Sequence, residues 1–133
     1  MRQWIACGVV LLWVAAASSA AAQTTPRAAA AKMKNPVASS AASIDTGRQL
    51  YQKHCRMCHG ATGAADTAAA RSMGASSIVD ATWTRGSSDG EIFVVIQEGA
   101  GPEYKMKGMK GKVSEQDTWH LVNYVRSLAA ASK

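Results

Sequence analysis

The chain has 133 residues, which is enough for one domain. Its 15 Lys and Arg residues outnumber 9 Asp and Glu residues and give a net charge of +6, which favours acidic partners or surfaces. No basic stripe with interleaved aromatic residues occurs in the sequence, so we expect no nucleic-acid partner.

The first 22 residues have the pattern of a secretory signal peptide. Arg2 supplies a positive start, residues 5–17 form an uninterrupted apolar run, and Ala20-Ala21-Ala22 fits a small-residue cleavage site. The alternative is an uncleaved membrane anchor. The second half of the segment is mostly Ala and Ser, which favours cleavage. We therefore expect an exported protein that contacts a membrane only if residues 1–22 are retained.

Residues 23–43 contain mainly Ala, Ser, Thr and Pro, with a few cations. A stretch with almost no large apolar side chains cannot bury enough surface to offset the entropy of ordering it. The sequence therefore predicts a disordered linker over 23–43 and a folded domain over 44–130. A first helix is expected from a cap at Asp45 to about Lys53.

Cys55-Arg56-Met57-Cys58-His59 follows this helix and matches the attachment signature of a c-type haem. Two cysteines three positions apart on a helical turn project to the same side, where both can form thioethers with the haem vinyl groups. His59 follows directly and can place its imidazole under the iron as an axial ligand. The same geometry directs Met57 away from the haem.

A zinc site or a thiol redox centre would use the same two cysteines. A zinc site needs a second ligand pair, but no cysteine follows Cys58 and His120 stands alone far downstream. A thioredoxin-like centre needs a βαβ pattern, which the sequence lacks. Haem is therefore the favoured interpretation, and His54 and His120 are expected on helix surfaces.

The second half of the domain is also predicted to be helical, after a loop with one short helix over 67–72. Ser88 and Glu91 form a capping-box pattern that begins an apolar helix ending at Gly99. Residues 99–112 form a loop rich in Gly and Lys, and Ser114 can cap the last helix. A domain this small has a thin core by itself, and a bound haem would supply the missing apolar surface.

Three segments resemble a class I, mono-haem cytochrome c of bacterial type, namely GRQLYQKHCRMCHGATG, GSSDGEIFVVIQEG and GKVSEQDTWHLVNYVRSL. The resemblance covers residues 44–128. It implies an all-α cytochrome c-like domain of three to five helices wrapped around one haem c, bound through thioethers at Cys55 and Cys58. It further implies that the first and last helices cross near Gly47, Tyr51 and Tyr124. Haem attachment in the bacterial family occurs outside the cytoplasm, so we expect a periplasmic location.

The resemblance also implies that the axial ligands of the iron are His59 and a methionine from the loop before the last helix. Loop register favours Met106, although Lys107 stands where the family often has Pro and Met109 where it often has an aromatic residue. Either methionine can therefore reach the iron. No Pro follows His59 closely, so we expect a backbone carbonyl within 63–70 to orient its ring. Trp83, Trp119 and Met73 are expected to be packing residues, and the alternative for Trp83 is that its N–H donates to a haem propionate.

The function that the resemblance implies is one-electron transfer between Fe(III) and Fe(II), in a carrier that is not itself an enzyme. Four lysines of the loop are expected to steer an acidic redox protein, such as a periplasmic dehydrogenase or terminal oxidase. They are Lys105, Lys107, Lys110 and Lys112. For the lysines, the alternative is a solvated basic loop without a docking role. For the protein, the alternatives are an electron-transfer subunit tethered to a larger periplasmic oxidoreductase and, less favoured, a small-ligand-binding or peroxidase-like haem domain.

Overall fold

The computed structural model describes residues 26–80, 83–101 and 105–132. The helices in these ranges are α1 (Pro26–Ala30), α2 (Ala41–His54), α3 (Arg56–His59), α4 (Ala68–Met73), α5 (Asp89–Glu98) and α6 (Glu115–Ala131). The all-α prediction is confirmed, with one short helix more than the expected three to five. Within the described ranges, none of the helices has the length and apolarity needed to cross a membrane. The predicted signal peptide lies outside these ranges.

Helices α2 and α6 pack against each other more extensively than any other pair. Gly47 makes this possible, because a Cβ atom at that position would overlap the carbonyl oxygen of His120. One turn further along α2, the rings of Tyr51 and Tyr124 lie 5.2 Å apart, tilted by 60°. The two helices therefore cross at the three residues that the family resemblance indicated.

Helix α5 supplies the second layer of the core. Its capping box is formed as predicted, with Ser88 and Glu91 satisfying each other's backbone N–H groups, and the helix ends at Glu98. The ring of Phe93 stacks on that of Trp119, with centroids 4.1 Å apart and an angle of 21°. Ser114 caps α6 through the backbone N–H of Asp117. The core therefore lies between α2, α5 and α6.

The prediction of a disordered linker is wrong for the described part of 23–43. Helix α1 packs on α5, where a Cβ atom at Gly90 would overlap the carbonyl oxygen of Ala30. The Asn35 side chain donates to the Trp119 carbonyl at 3.2 Å and to Asn123 Oδ1 at 2.8 Å. The segment is held by small-residue packing and amide hydrogen bonds, neither of which depends on large apolar side chains.

Helix α2 also begins earlier than predicted. Its N-cap is Ser40, whose hydroxyl accepts the backbone N–H of Ser43 at 3.2 Å. Asp45 instead lies inside the helix and bonds to Arg48 and Gln49 on its exposed face. Arg48 is the main reason that the pKa of Asp45 is lowered.

Candidate cofactor site

A cavity of about 410 Å³ opens between the Cys55–His59 motif, residues 73–78 and 83–86, α5 and the 105–112 loop. This volume is within the range of roughly 300–1,000 Å³ that is typical of small-molecule sites. Most of its wall is apolar. The apolar side chains include those of Tyr51, Ile92, Val95, Ile96, Leu121 and Val125.

The motif forms a single helical turn, α3, that directs Cys55, Cys58 and His59 into this cavity. Met57 is 74% exposed, as its position on the turn predicts. Thr67 holds the turn from one side, because its hydroxyl lies 2.9 Å from the Met57 carbonyl and 3.3 Å from the Cys58 carbonyl. Thr67 is the N-cap of α4, so it connects that helix to the backbone of the Cys55–His59 motif.

The two cysteines are free thiols. Burial, with a smaller contribution from the charge of Cys58, raises the pKa of Cys55 to about 11. Reactive cysteines of thiol–disulfide enzymes have the opposite property, a lowered pKa. The Sγ of Cys58 lies 3.8 Å from the Sδ of Met73, which is 37% exposed at the edge of the cavity. The Cys55 thiol is therefore held at the site in its protonated form.

Burial lowers the pKa of His59, so the imidazole is neutral, as a metal ligand must be. Its Nδ1 is buried and has no hydrogen-bond partner among the described residues. The carbonyl of Ser76 lies near enough to raise the pKa of the ring partly, although it makes no well-formed hydrogen bond to Nδ1. Within the described residues, neither Ser76 nor the expected 63–70 stretch supplies a carbonyl that is hydrogen-bonded to Nδ1.

Met106 and Met109 both line the cavity, on a loop that is attached to the end of α5. The carbonyl of Met106 accepts the N–H of Ala100 at 3.1 Å, and the N–H of Met109 donates to the carbonyl of Ile96 at 2.8 Å. The side chain of Met109 packs against the hydrophobic core. Met106 is half-buried and does not belong to that cluster.

The four lysines of the loop differ in their surroundings. Lys105, Lys107 and Lys112 are exposed and line the cavity. Lys110 does not line it and pairs with Glu98, with 3.1 Å between Nζ and Oε1. The Nζ of Lys105 donates to the carbonyl of Ser72 at 3.1 Å, a contact that sequence patterns gave no means of finding.

Three other side chains that the sequence singled out can also be located. The N–H of Trp83 donates to the Asp80 carbonyl at 2.9 Å, so it is not available for a propionate. His54 is half-buried and lines the cavity. His120 is half-buried and bonds through Nδ1 to the hydroxyl of Ser43 at 2.8 Å. Neither histidine is therefore an ordinary helix-surface residue.

This chain is similar to a protein-family model and to solved structures of other proteins. The family model described as cytochrome c oxidase, cbb3-type, subunit III matches residues 42–125. The KustC0563 c-type cytochrome is similar over 62% of this chain and 95% of its own, with 36% identity and a TM-score of 0.54. A chain of the Kuenenia stuttgartiensis reducing HAO-like protein complex Kustc0457/Kustc0458 is similar over 72% of this chain and 49% of its own, with 19% identity and a TM-score of 0.64. No curated protein matches the sequence.

Proposed function

Because this chain belongs to the cytochrome c family described as cbb3-type cytochrome c oxidase subunit III, we propose that it is a periplasmic carrier of single electrons. One haem c is bound covalently through Cys55 and Cys58, and His59 and Met106 are its axial ligands. The observation that carries this proposal is the meeting of two thiols, a neutral imidazole and a methionine loop around one apolar cavity.

The residues around the cavity fit a haem. The apolar wall suits the macrocycle, the two thiols lie on one turn, and His59 lines the same cavity with a buried Nδ1 that has no hydrogen-bond partner among the described residues. A haem bound there supplies reversible one-electron exchange at its iron. The apolar side chains exclude water, and a thioether ligand raises the reduction potential.

Met106 is the better of the two methionine ligands. The side chain of Met109 is already engaged with the core, where a flexible thioether fills irregular space. Met106 has its backbone fixed by Ala100 while its side chain stays outside the core cluster. A fixed backbone with an uncommitted side chain is the arrangement that an axial ligand needs.

Docking of an acidic redox protein is proposed for the rim of the same cavity. Lys107 and Lys112 are exposed there, whereas Lys110 is paired with Glu98. Long-range attraction by such charges accelerates encounter and weakens with salt. The docking role therefore falls chiefly on Lys107 and Lys112.

A second candidate function is that of an electron-transfer subunit within a larger periplasmic oxidoreductase. The observation that favours it is the family description itself, which names a subunit of an oxidase. Co-purification of the tagged full chain from its native membrane and soluble fractions tests this proposal. Recovery with stoichiometric oxidoreductase subunits would support the subunit, and recovery alone would support the free carrier.

The visible spectrum of the purified, haem-loaded protein tests the main proposal. The ferric form should show the weak far-red band that reports methionine sulfur on iron, as the family resemblance implies. Met106→Ala should lose this band and Met109→Ala should keep it. A high-spin wild-type spectrum with ready CO binding would contradict the proposal and favour a small-ligand-binding or peroxidase-like site.

A further inference from the structure

One side chain connects the methionine loop to the helix on the other side of the cavity mouth. The Nζ of Lys105 donates to the carbonyl of Ser72, at a distance of 3.1 Å and 33 residues away in sequence. Ser72 lies in the last turn of α4, where backbone carbonyls lack partners within the helix. Cations are also favoured at this end of a helix. The next residue of α4, Met73, lines the cavity.

Among the described residues of the loop, the backbone hydrogen bonds to other parts of the chain go to the C-terminal end of α5 and the residues directly after it. The carbonyl of Met106 accepts the Ala100 N–H at 3.1 Å, and the Lys110 N–H donates to the Gln97 carbonyl at 3.1 Å. A Cβ atom at Gly108 would overlap the same Gln97 carbonyl, so the loop lies directly on the end of α5. Lys105 therefore provides the attachment toward α4 that these backbone contacts lack.

The residue after Met106 shows why an attachment of the loop to α4 would help to position the methionine. Lys107 has no ring to fix its φ angle, as a proline would, so the backbone beside Met106 is held by its hydrogen bond to Ala100 and not by a ring. Met109 lines the same cavity three residues later. A loop with two methionines and no proline needs another restraint to present one sulfur atom consistently.

We propose that Lys105 is a positioning residue, whose hydrogen bond to the Ser72 carbonyl at the end of α4 holds Met106 within reach of the cofactor iron. This inference rests on the proposed His59/Met106 ligation. It assigns Lys105 a role inside the chain, which is distinct from the docking of a partner. Loss of one charge-assisted hydrogen bond should favour release of Met106 about fivefold, which corresponds to roughly 1 kcal/mol.

Imidazole titration of the ferric, haem-loaded protein tests the inference, because imidazole competes with the methionine and abolishes the far-red band. In Lys105→Ala the apparent Kd for imidazole should fall about fivefold. Lys105→Arg keeps a cationic donor and should restore the wild-type value. Lys110→Ala removes the same charge from the same loop, at a residue that does not line the cavity and does not contact α4, and should leave the Kd unchanged.

The outcomes separate this inference from the proposed function. A wild-type protein without the far-red band would overturn methionine ligation, and the role of Lys105 with it. If the wild type has the band but its imidazole Kd is the same as that of Lys105→Ala, only the role of Lys105 is overturned. Equal shifts in Lys105→Ala and Lys110→Ala would show a general charge effect and would also overturn it. Lys105 is exposed, so its removal leaves the core intact, and the unfolding midpoint of each variant checks this.

Discussion

The hydroxyl of Tyr51 donates a hydrogen bond of 2.8 Å to the carbonyl of Gly60, the residue directly after His59. Tyr51 is fully buried in α2 and its ring also packs on Tyr124 of α6. One side chain therefore connects the crossing of the two long helices to the end of the haem-attachment motif. The position of His59 depends on this crossing as much as on the local turn.

Tyr51→Phe is expected to destabilise the haem-loaded protein by about 1 kcal/mol at neutral pH, because the Gly60 carbonyl loses its donor. Burial raises the pKa of Tyr51, so its neutral form stabilises the folded state. That contribution is fully present below the unfolded pKa of about 10 and is lost as the pH rises above it. Guanidinium unfolding between pH 7 and 11 should show a steeper alkaline loss for wild type than for Tyr51→Phe. If the unfolding free energies of wild type and Tyr51→Phe fell in parallel with rising pH, the alkaline loss of stability could not be assigned to Tyr51.

Gly47→Ala should separate α2 from α6, because the added Cβ would overlap the carbonyl oxygen of His120. Overpacking of this kind costs about 1–3 kcal/mol, and backbone atoms on the opposing side cannot move away easily. The unfolding free energy of the haem-loaded protein measures the effect. Arg48→Ala, which changes the next and exposed residue of α2, is the matched control and should have a much smaller effect. Equal effects of the two substitutions would show that the close approach at Gly47 is not required.

Asn123→Ala should release the N-terminal segment from α6. The Asn123 amide donates to the Val37 carbonyl at 3.1 Å and to the Ser43 hydroxyl at 2.8 Å, and it accepts from Asn35 at 2.8 Å. Loss of several buried hydrogen bonds should cost about 2–3 kcal/mol.

Limited trypsin digestion measures this release, because Lys32 and Lys34 lie in the segment and should be cleaved faster in Asn123→Ala. Ser127→Ala is the control, since the Ser127 hydroxyl bonds only to the Tyr124 carbonyl within α6. Unchanged cleavage in Asn123→Ala would mean that the segment is held by other contacts, such as the packing of Ala30 on Gly90.

Lys107→Ala and Lys112→Ala should each slow the oxidation of the ferrous protein by anionic hexacyanoferrate(III) about twofold at low salt. The difference should disappear at 1 M ionic strength, where the Debye length is about 3 Å. Lys110→Ala should have a smaller effect, because Lys110 lies away from the cavity and pairs with Glu98. Oxidation by a cationic cobalt(III) complex should instead be faster in Lys107→Ala and Lys112→Ala than in wild type at low salt. Rates that do not depend on salt would contradict a steering role for this rim.

Local patterns in the sequence predicted much of this structure. The capping box of Ser88 and Glu91 and the cap at Ser114 are formed as predicted, since each depends only on residues within one turn. The outward direction of Met57 follows from helical geometry in the same way. These features depend on a single helix turn and were readable from sequence, whereas the N-cap of α2 was predicted at Asp45 and lies at Ser40.

Features that depend on distant residues were not predictable. The segment 26–43 looked disordered because its composition is polar and small, yet Asn35 finds its partners 84 and 88 residues away. The partner of Lys105 is likewise distant, because its Nζ donates to the carbonyl of Ser72, 33 residues away. Each of these contacts joins segments whose relative position is set by the fold, which no local pattern encodes.

The bond between Asn35 and Asn123 has a consequence for the order in which the protein folds. It closes a loop of 88 residues, and the entropy lost in closing a loop grows with its length. The described partners of the Asn35 amide lie on α6, which is the last helix of the described chain. Helix α1 packs on α5 and can do so earlier. Pulse-labelled hydrogen exchange should therefore find the region around Asn35 protected last.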